Sequence, residues 1–199
     1  MSPKIFTLEE KERLKEQMFH AGLKLLKEYG MTHMSVEKIT SEAGIGKSTF
    51  YNFFLSKEDF VLQLIEFNRM RFWKAVKDML GGREKLTVDE SKKVLTAIIN
   101  NQDSVYQYLT PEDEEKLAQA SPDKGKADIG EETETLSRLF SMFENVREDI
   151  DVAVIANMLK ILAMTAENRS MLHESGYTRT QEKLFGVLFD CIFKEDMNE

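Results

Sequence analysis

The sequence predicts an all-α protein of about nine helices, in which a small N-terminal three-helix head precedes a larger helical body. Only three prolines occur in 199 residues, and hydrophobic and charged residues make up 42% and 31% of the chain. This balance is typical of a globular domain. The polar stretches are rich in Glu, Lys and Leu, which favours helices over a sheet with many turns.

The head begins with clear helix-start and helix-stop signals. Thr7–Glu10 has the form of a capping box, and apolar residues recur behind it at helical spacing, so a first helix is predicted over Leu8–Tyr29. Gly30 supplies its stop. Ser35 caps a second, short helix, and Gly44 ends it where the chain must turn sharply.

A third short helix is predicted over Lys47–Phe53, with Phe50 and Phe54 facing inward one turn apart. Ser56 caps a fourth helix that continues to Gly81, and acidic residues in its first turn suit the positive end of the helix dipole. The head is therefore assigned to residues 1–58, and the body to residues 59–199.

The helical signals of the body are less sharp. The composition of ASPDKGKADIG, residues 120–130, predicts a flexible loop between its helices. The body helices are predicted at about Val88–Tyr108, Glu112–Gln119, Glu131–Val146, Val152–Glu174 and Thr180–Phe193.

Charge and composition limit the location and class of the protein. The net charge is −8, yet residues 1–60 contain nine Lys/Arg and nine Asp/Glu, so the whole excess of acid falls on the body. A neutral head leaves room for a local basic face. No apolar run reaches the roughly 20 residues of a membrane span, no secretory signal is recognisable, and the single cysteine suits a reducing compartment. A cytoplasmic protein is expected.

The second and third helices, joined by a tight glycine turn, form a predicted helix-turn-helix. Burial of the apolar residues around Gly44 leaves a small, polar outer face on the third helix, with a cation at its N-terminal end. Such a helix fits the major groove of double-stranded DNA and presents its first residues to base edges. The predicted face consists of Lys47, Ser48, Thr49, Tyr51 and Asn52.

These residues resemble a known family. VEKITSEAGIGKSTFYNFFLSKEDF, residues 36–60, is similar to the DNA-binding signature of tetracycline-repressor (TetR) family regulators. The resemblance covers about residues 8–66, a third of the chain. It implies that Lys47, Ser48, Thr49 and Tyr51 lie on DNA and that Lys57 binds a phosphate. It also implies that the rest of the chain binds an effector and forms dimers.

Two residues depart from the family pattern. Thr40 stands where Ala is usual, but its methyl group can still pack and its hydroxyl can bond back along the helix. Phe53 stands where many members carry His or Tyr near a phosphate, so one such contact is expected to be absent. For Tyr51, packing against a neighbouring helix remains an alternative to contact with DNA.

The last two helices carry more apolar surface than one core contact requires, which suits a two-fold interface of four helices in a homodimer. Cys191, on the last helix, is expected to be a small core hydrophobe rather than a redox sensor. The residues predicted for the interface are Ile155, Leu159, Leu162, Leu184, Leu188 and Ile192.

Aromatic and Met side chains in the body predict an apolar effector pocket, for which a filled core is the alternative. Tyr106 and Asn100 are candidate polar anchors. The predicted lining is Phe67, Met70, Asn100, Tyr106, Phe140, Phe143 and Met158.

These features predict a dimeric transcriptional regulator, expected to be a repressor that a small molecule releases from a near-palindromic operator. No cofactor, metal or enzymatic activity is expected, because the three His are scattered and no phosphate loop, nucleophile elbow or dinucleotide fingerprint is present. Two alternatives stay open. The first is a helical protein-interaction adaptor that keeps the head without DNA binding, and the second is an all-α enzyme.

Overall fold

In a computed structural model of the chain, residues 7–100, 105–120 and 129–194 are described. Within these ranges the backbone forms nine α-helices and two short 3-10 helices and no strand, so the all-α prediction is confirmed. The α-helices are α1 (Leu8–His33), α2 (Val36–Glu42), α3 (Lys47–Tyr51), α4 (Lys57–Leu80), α5 (Val88–Ile99), α6 (Pro111–Ala120), α7 (Ile129–Ser141), α8 (Val152–Glu167) and α9 (Glu174–Ile192), and the 3-10 helices are Val105–Tyr108 and Arg169–Met171.

The predicted helix starts of the head are confirmed by their caps. The Thr7 backbone N–H donates to the Glu10 carboxylate at 2.8 Å, and the Glu10 N–H donates to the Thr7 hydroxyl at 3.2 Å. The helix does not stop at Gly30 as predicted. It is kinked there, with a φ of 70° at Gly30, and continues to His33.

Two predicted helix boundaries near the end of the chain are wrong. Helix α8 ends at Glu167 rather than Glu174, because the Asn168 side-chain amide donates to the Met164 carbonyl at 2.8 Å and caps the helix end. Helix α9 begins at Glu174 rather than Thr180. Its first acid pairs with Arg169 at 3.0 Å across the intervening turn.

Helix α5 is shorter than predicted, because it ends at Ile99 instead of Tyr108. The Asn100 N–H donates to the Thr96 carbonyl at 3.0 Å, and the chain leaves the helical conformation there. The next predicted residues, 101–104, lie outside the described part of the chain.

Helix α7 begins inside the predicted loop over residues 120–130, most of which lies outside the described residues, and it ends before the predicted Val146. The chain leaves the helix because it pairs with another segment. The Leu86 N–H donates to the Met142 carbonyl at 2.8 Å, and the Glu144 N–H donates to the Leu86 carbonyl at 3.0 Å. This isolated bridge replaces the last predicted turn.

The chain divides into two compact units. The first comprises residues 1–73 and 102–126, and the second comprises residues 74–101 and 127–199. The boundary predicted after residue 58 lies inside the first unit, whose core includes the first turns of α4. The assignment of residues 1–58 as a separate domain stays a prediction.

The core of the first unit is built on phenylalanine rings. The Phe60 ring, fully buried on α4, lies 4.9 Å from the Phe54 ring, 5.5 Å from the Phe50 ring and 5.7 Å from the Phe19 ring, measured between centroids. Such tilted and edge-to-face aromatic contacts stabilise beyond the area that they bury. They join α1, α3 and α4 and hold the short third helix in place.

A buried carboxylate also belongs to the first unit. Asp113, in the first turn of α6, is 1% exposed and accepts hydrogen bonds from the backbone N–H and the hydroxyl of Thr110 at 3.1 and 2.9 Å. The Thr32 hydroxyl, near the end of α1, donates to it at 3.1 Å. Burial alone would raise the pKa of Asp113, but these hydrogen bonds outweigh it and lower the pKa.

We expect Asp113→Asn to destabilise the first unit by about 1–3 kcal/mol at neutral pH, because the amide cannot accept all three bonds. Because the pKa of Asp113 is lower in the folded than in the unfolded protein, its carboxylate stabilises the fold at pH values above the unfolded-state pKa. That stabilisation is lost as the pH falls through the folded-state pKa. Wild type and variant should therefore converge in thermal unfolding as the pH falls below about 4. A difference that persists unchanged to pH 2–3 would contradict this role, and Glu114→Gln, an exposed neighbour, is the control.

The second unit has its own apolar core, to which α5, α7, α8 and α9 contribute. Phe140 and Phe143 pack edge to face with their centroids 5.9 Å apart, and Phe193 stacks on Phe143 at 6.2 Å. The side chains buried in this unit include Val76, Leu86, Val94, Leu95, Ile99, Leu136, Leu139, Phe140, Phe143, Ile155, Ala156, Leu159, Leu162, Leu188, Ile192 and Phe193.

Candidate nucleic-acid interface

The turn between α2 and α3 depends on a glycine with positive φ. Gly44 has φ of 66°, and Ile45 behind it donates its N–H to the Thr40 carbonyl at 2.9 Å. A side chain at residue 44 would strain this conformation, which glycine adopts without steric cost. The turn therefore fixes the direction in which α3 leaves α2.

Helix α3 has one buried residue, Phe50, and its other positions face outward to differing degrees. Lys47 and Ser48 are exposed at its first turn, and Thr49 is half-buried. Asn52, at its C-terminal end, is exposed. The structure thus places the predicted face on one short helix, which presents a cation, hydroxyls and an amide to solvent.

Tyr51 is 55% exposed at the end of the same helix. Its ring meets the ring of Phe50 edge to face at 5.5 Å between centroids. The buried phenylalanine of its own helix thus supports the tyrosine, and more than half of the side chain stays accessible. The geometry agrees with an outward role for Tyr51 and not with burial against another helix.

Lys57 has a polar partner within the protein. Its ammonium donates to the Met31 carbonyl at 3.0 Å, near the end of α1, and the side chain is half-buried. An ammonium has three donors, so this bond leaves capacity for a phosphate oxygen. Behind it, Ser56 caps α4 by accepting from the Asp59 N–H at 3.1 Å.

The two departures from the family pattern have clear positions. The Thr40 hydroxyl donates back to the Glu37 carbonyl at 3.1 Å, and the side chain is only 5% exposed. Phe53 is half-buried against the aromatic core, with its ring 6.2 Å from that of Phe54. A phenyl ring has no hydrogen-bond donor, so residue 53 offers none to a phosphate.

Sequence reasoning missed Glu37. This residue lies in the first turn of α2, and the Lys47 ammonium donates a hydrogen bond to its carboxylate. The Lys47 hydrogen bond is the main reason why the pKa of Glu37 falls to about 2, and bonds from its own N–H and from Ser35 add to the effect. The two residues are ten apart on different helices, so no helical spacing predicts the pair.

The residues predicted for a pocket are distributed over the two units. Phe140 and Phe143 are buried in the second unit and Met158 is half-buried there, whereas Asn100 is exposed. In the first unit Phe67 is half-buried and Met70 is 57% exposed. The side chain of Tyr106 lies outside the described residues.

The structure places most of the predicted dimer residues in the interior. Ile155, Leu159, Leu162, Leu188 and Ile192 are at most 6% exposed in the core of the second unit, and only Leu184, at 36%, is accessible. The expectation that Cys191 is a core hydrophobe is wrong, because its side chain is exposed. Other apolar residues of α8 and α9 face outward instead: Val154, Ile161, Met164 and Val187.

Neither a metal site nor a membrane span is found in the part of the chain that the structure describes. No three His, Cys, Asp or Glu side chains come together there in an arrangement that could hold an ion. Among the same residues, every helix is too short or too polar to cross a bilayer.

Comparison with known proteins finds a family match within the head. Residues 18–64 match the family model described as bacterial regulatory proteins, tetR family. The chain is 37% identical to the uncharacterised HTH-type transcriptional regulator YwcC of Bacillus subtilis over 83 residues, which cover 39% of this chain and 37% of that protein. The alignment thus spans little more than a third of that relative.

Solved structures resemble the chain over most of its length. NalD, the secondary repressor of the MexAB-OprM multidrug efflux pump in Pseudomonas aeruginosa, has a TM-score of 0.59 at 16% identity, covering 93% of this chain and 99% of that one. The fatty acid degradation regulator FadR of Bacillus halodurans has a TM-score of 0.59 at 16% identity, covering 94% and 97%. At such identities the likeness establishes the fold.

Proposed function

We propose that the chain, whose residues 18–64 match the model of the tetR family of bacterial regulatory proteins, is a sequence-specific DNA-binding transcriptional regulator. It acts as a homodimeric repressor that a small molecule releases from its operator. Each protomer places α3 in the major groove at one half of a near-palindromic site. The effector changes the spacing of the two heads, so that they no longer match half-sites roughly 34–36 Å apart.

The observation that carries this proposal is the outward face of α3. Its apolar side is anchored by Phe50, which is fully buried, while Lys47, Ser48 and Tyr51 stay accessible on the other side. A helix that is too short to be stable alone and is held rigidly by aromatic packing suits base recognition better than it suits a purely structural role.

Selection from random duplexes tests the proposal. The dimer should enrich a near-palindrome with two half-sites about one helical turn apart. If no sequence is enriched even at about 50 mM salt, where phosphate contacts are strong, DNA binding fails and a protein-interaction adaptor becomes the better hypothesis.

Dimerisation through α8 and α9 rests on their exposed apolar side chains. On α8, Val154 and Ile161 are 48% and 56% exposed, two turns apart on one face. On α9, Val187 is 54% exposed and Leu184 lies one turn before it on the same face. Exposed apolar side chains on two helices favour a partner, and a second copy would form a closed two-fold contact.

We propose that the effector binds in the second unit, where Phe140 and Phe143 are buried and Met158 is half-buried. Aromatic side chains and an unbranched, adaptable Met would suit an apolar ligand. Titration of the protein–operator complex with hydrophobic cations, acyl compounds and aromatic acids tests this assignment. If no compound of these classes releases the DNA, the inducible mechanism fails while DNA binding stands.

The phosphate role of Lys57 gives a separate prediction. Lys57→Ala should weaken binding about equally on all DNA sequences and lower the salt slope by about one contact per protomer, because a phosphate contact carries no sequence information. Binding titrations between about 50 and 200 mM salt measure it. Lys24→Ala, which removes a cation paired with Glu42 instead, is the control. An unchanged salt slope in Lys57→Ala would contradict the role.

A further inference from the structure

The surface proposed to face DNA carries a carboxylate as well as a cation. Glu37 on α2 and Lys47 on α3 form an ion pair in which the two side chains are 61% and 53% exposed. An anion at this place opposes the attraction of the head for phosphates. The position of Glu37 beside Lys47, the first residue of α3, therefore needs an explanation.

The Glu37–Lys47 ion pair is not explained by a contribution to the stability of the fold. Pairs between exposed side chains contribute little, because water screens the charges and two flexible side chains must be ordered. The α2–α3 turn is already fixed by Gly44 and by the buried Phe50. The Glu37 side chain, which pairs with the exposed Lys47, is accessible to a contact outside the protein.

The chemistry of the pair matches the edge of a base pair. At neutral pH the exposed Glu37 carboxylate is ionised, so it only accepts hydrogen bonds. Lys47 only donates. In the major groove, cytosine presents a donor at N4, and its guanine partner presents acceptors at O6 and N7.

We propose that Glu37 determines base specificity by accepting a hydrogen bond from the N4 amino group of a cytosine in the major groove, while Lys47 donates to O6 or N7 of the paired guanine. This inference rests on the proposed function and names a base pair that the head recognises. Adenine also has an amino donor, but its adjacent N7 acceptor would repel the carboxylate, whereas cytosine has no acceptor beside N4.

The pair also explains how the head can discriminate against other sequences. On a wrong base pair, Glu37 would face an acceptor or a thymine methyl group and would lose a hydrogen bond on leaving water. Lys47 would then stay bound to Glu37 instead of reaching the DNA. One acid thus penalises non-cognate sites while the cognate C·G pair satisfies both side chains.

The experiment compares the selected operators of wild type, Glu37→Gln and Glu42→Gln. Wild type should enrich C·G at one fixed position of each half-site. In Glu37→Gln the preference at that position should move from cytosine towards adenine by about tenfold or more, because an amide can donate to N7 and accept from N6. All other positions should keep their preferences.

Glu42→Gln is the matched control. It removes the same charge from the same helix, at an exposed ion pair that joins Lys24 on α1 at 2.6 Å. Its selected sequence should equal that of wild type. Circular dichroism and thermal unfolding of both variants confirm that the exposed substitutions leave the fold intact.

Two results would overturn the inference while the proposed function stands. In the first, Glu37→Gln would retain the wild-type base preference at every position. In the second, Glu37→Gln would bind all sequences more tightly and with a steeper salt dependence, which would mean that Glu37 only shields Lys47 from phosphates. Failure of the proposed function looks different, because wild type itself then enriches no sequence.

Discussion

Gly22→Ala should destabilise the first unit by about 1–3 kcal/mol, although alanine is the better helix former. Gly22 lies on α1 under the buried ring of Phe60, where an added Cβ would come within 2.4 Å of Cζ and 2.5 Å of Cε1. No such contact is tolerated, so the ring or the helix must move. DNA binding should fall as well, because Phe50 of α3 packs on the same ring.

The ring cannot move cheaply. Phe60 is fully buried, and its neighbours Phe19, Phe50 and Phe54 are themselves at most 3% exposed. Protein interiors are close-packed, so a shift of one ring is transmitted to the others. The expected destabilisation is therefore that of overpacking, which exceeds the small gain in helix propensity.

Two further variants separate overpacking from a general effect of alanine. Gly186→Ala, on α9 with no atom within 4 Å of the new Cβ, should stabilise by about 0.5–1 kcal/mol. The double variant Gly22→Ala/Phe60→Leu should be more stable than the sum of the single effects predicts, since the smaller side chain makes room. If denaturant unfolding shows that Gly22→Ala is as stable as wild type or more stable, the close contact between residue 22 and the Phe60 ring is refuted.

The head could be predicted from sequence because its signals are local. The cap at Ser35 is made by a side-chain bond over three residues, and the turn depends on one positive φ at Gly44. Phe50 and Phe54 are one turn apart and both are buried. Each of these features is fixed by a few neighbouring residues, so pattern and structure agree.

The outward faces of α8 and α9 could not be predicted in the same way. Helix α8 has apolar residues around most of its circumference: Ile155 and Leu159 are buried, whereas Val154 and Ile161 are exposed. The spacing of apolar residues then fits two stripes equally well, and packing against other helices decides which is buried. The Glu37–Lys47 pair was missed for a related reason, because it joins two helices across the turn.

Val187→Glu should yield a folded monomer with weakened operator binding, whereas Leu188→Glu should fail to fold. The two neighbours on α9 differ in environment, since Val187 is 54% exposed and Leu188 is fully buried. A charge at residue 187 stays in water in the protomer, and the expected change in stability is within about 0.5 kcal/mol. In a two-fold contact the charge would be buried without a partner, once in each protomer.

At residue 188 the carboxylate would enter an apolar core without a partner, which costs several kcal/mol and exceeds what a marginally stable fold tolerates. Light scattering with circular dichroism measures both outcomes. Thr178→Glu is the control, because nine residues at about 100° each place it on the opposite side of α9 from Val187. A Val187→Glu protein that is folded and still dimeric would place the interface on another face, since an isologous contact repeats any charge introduced into it.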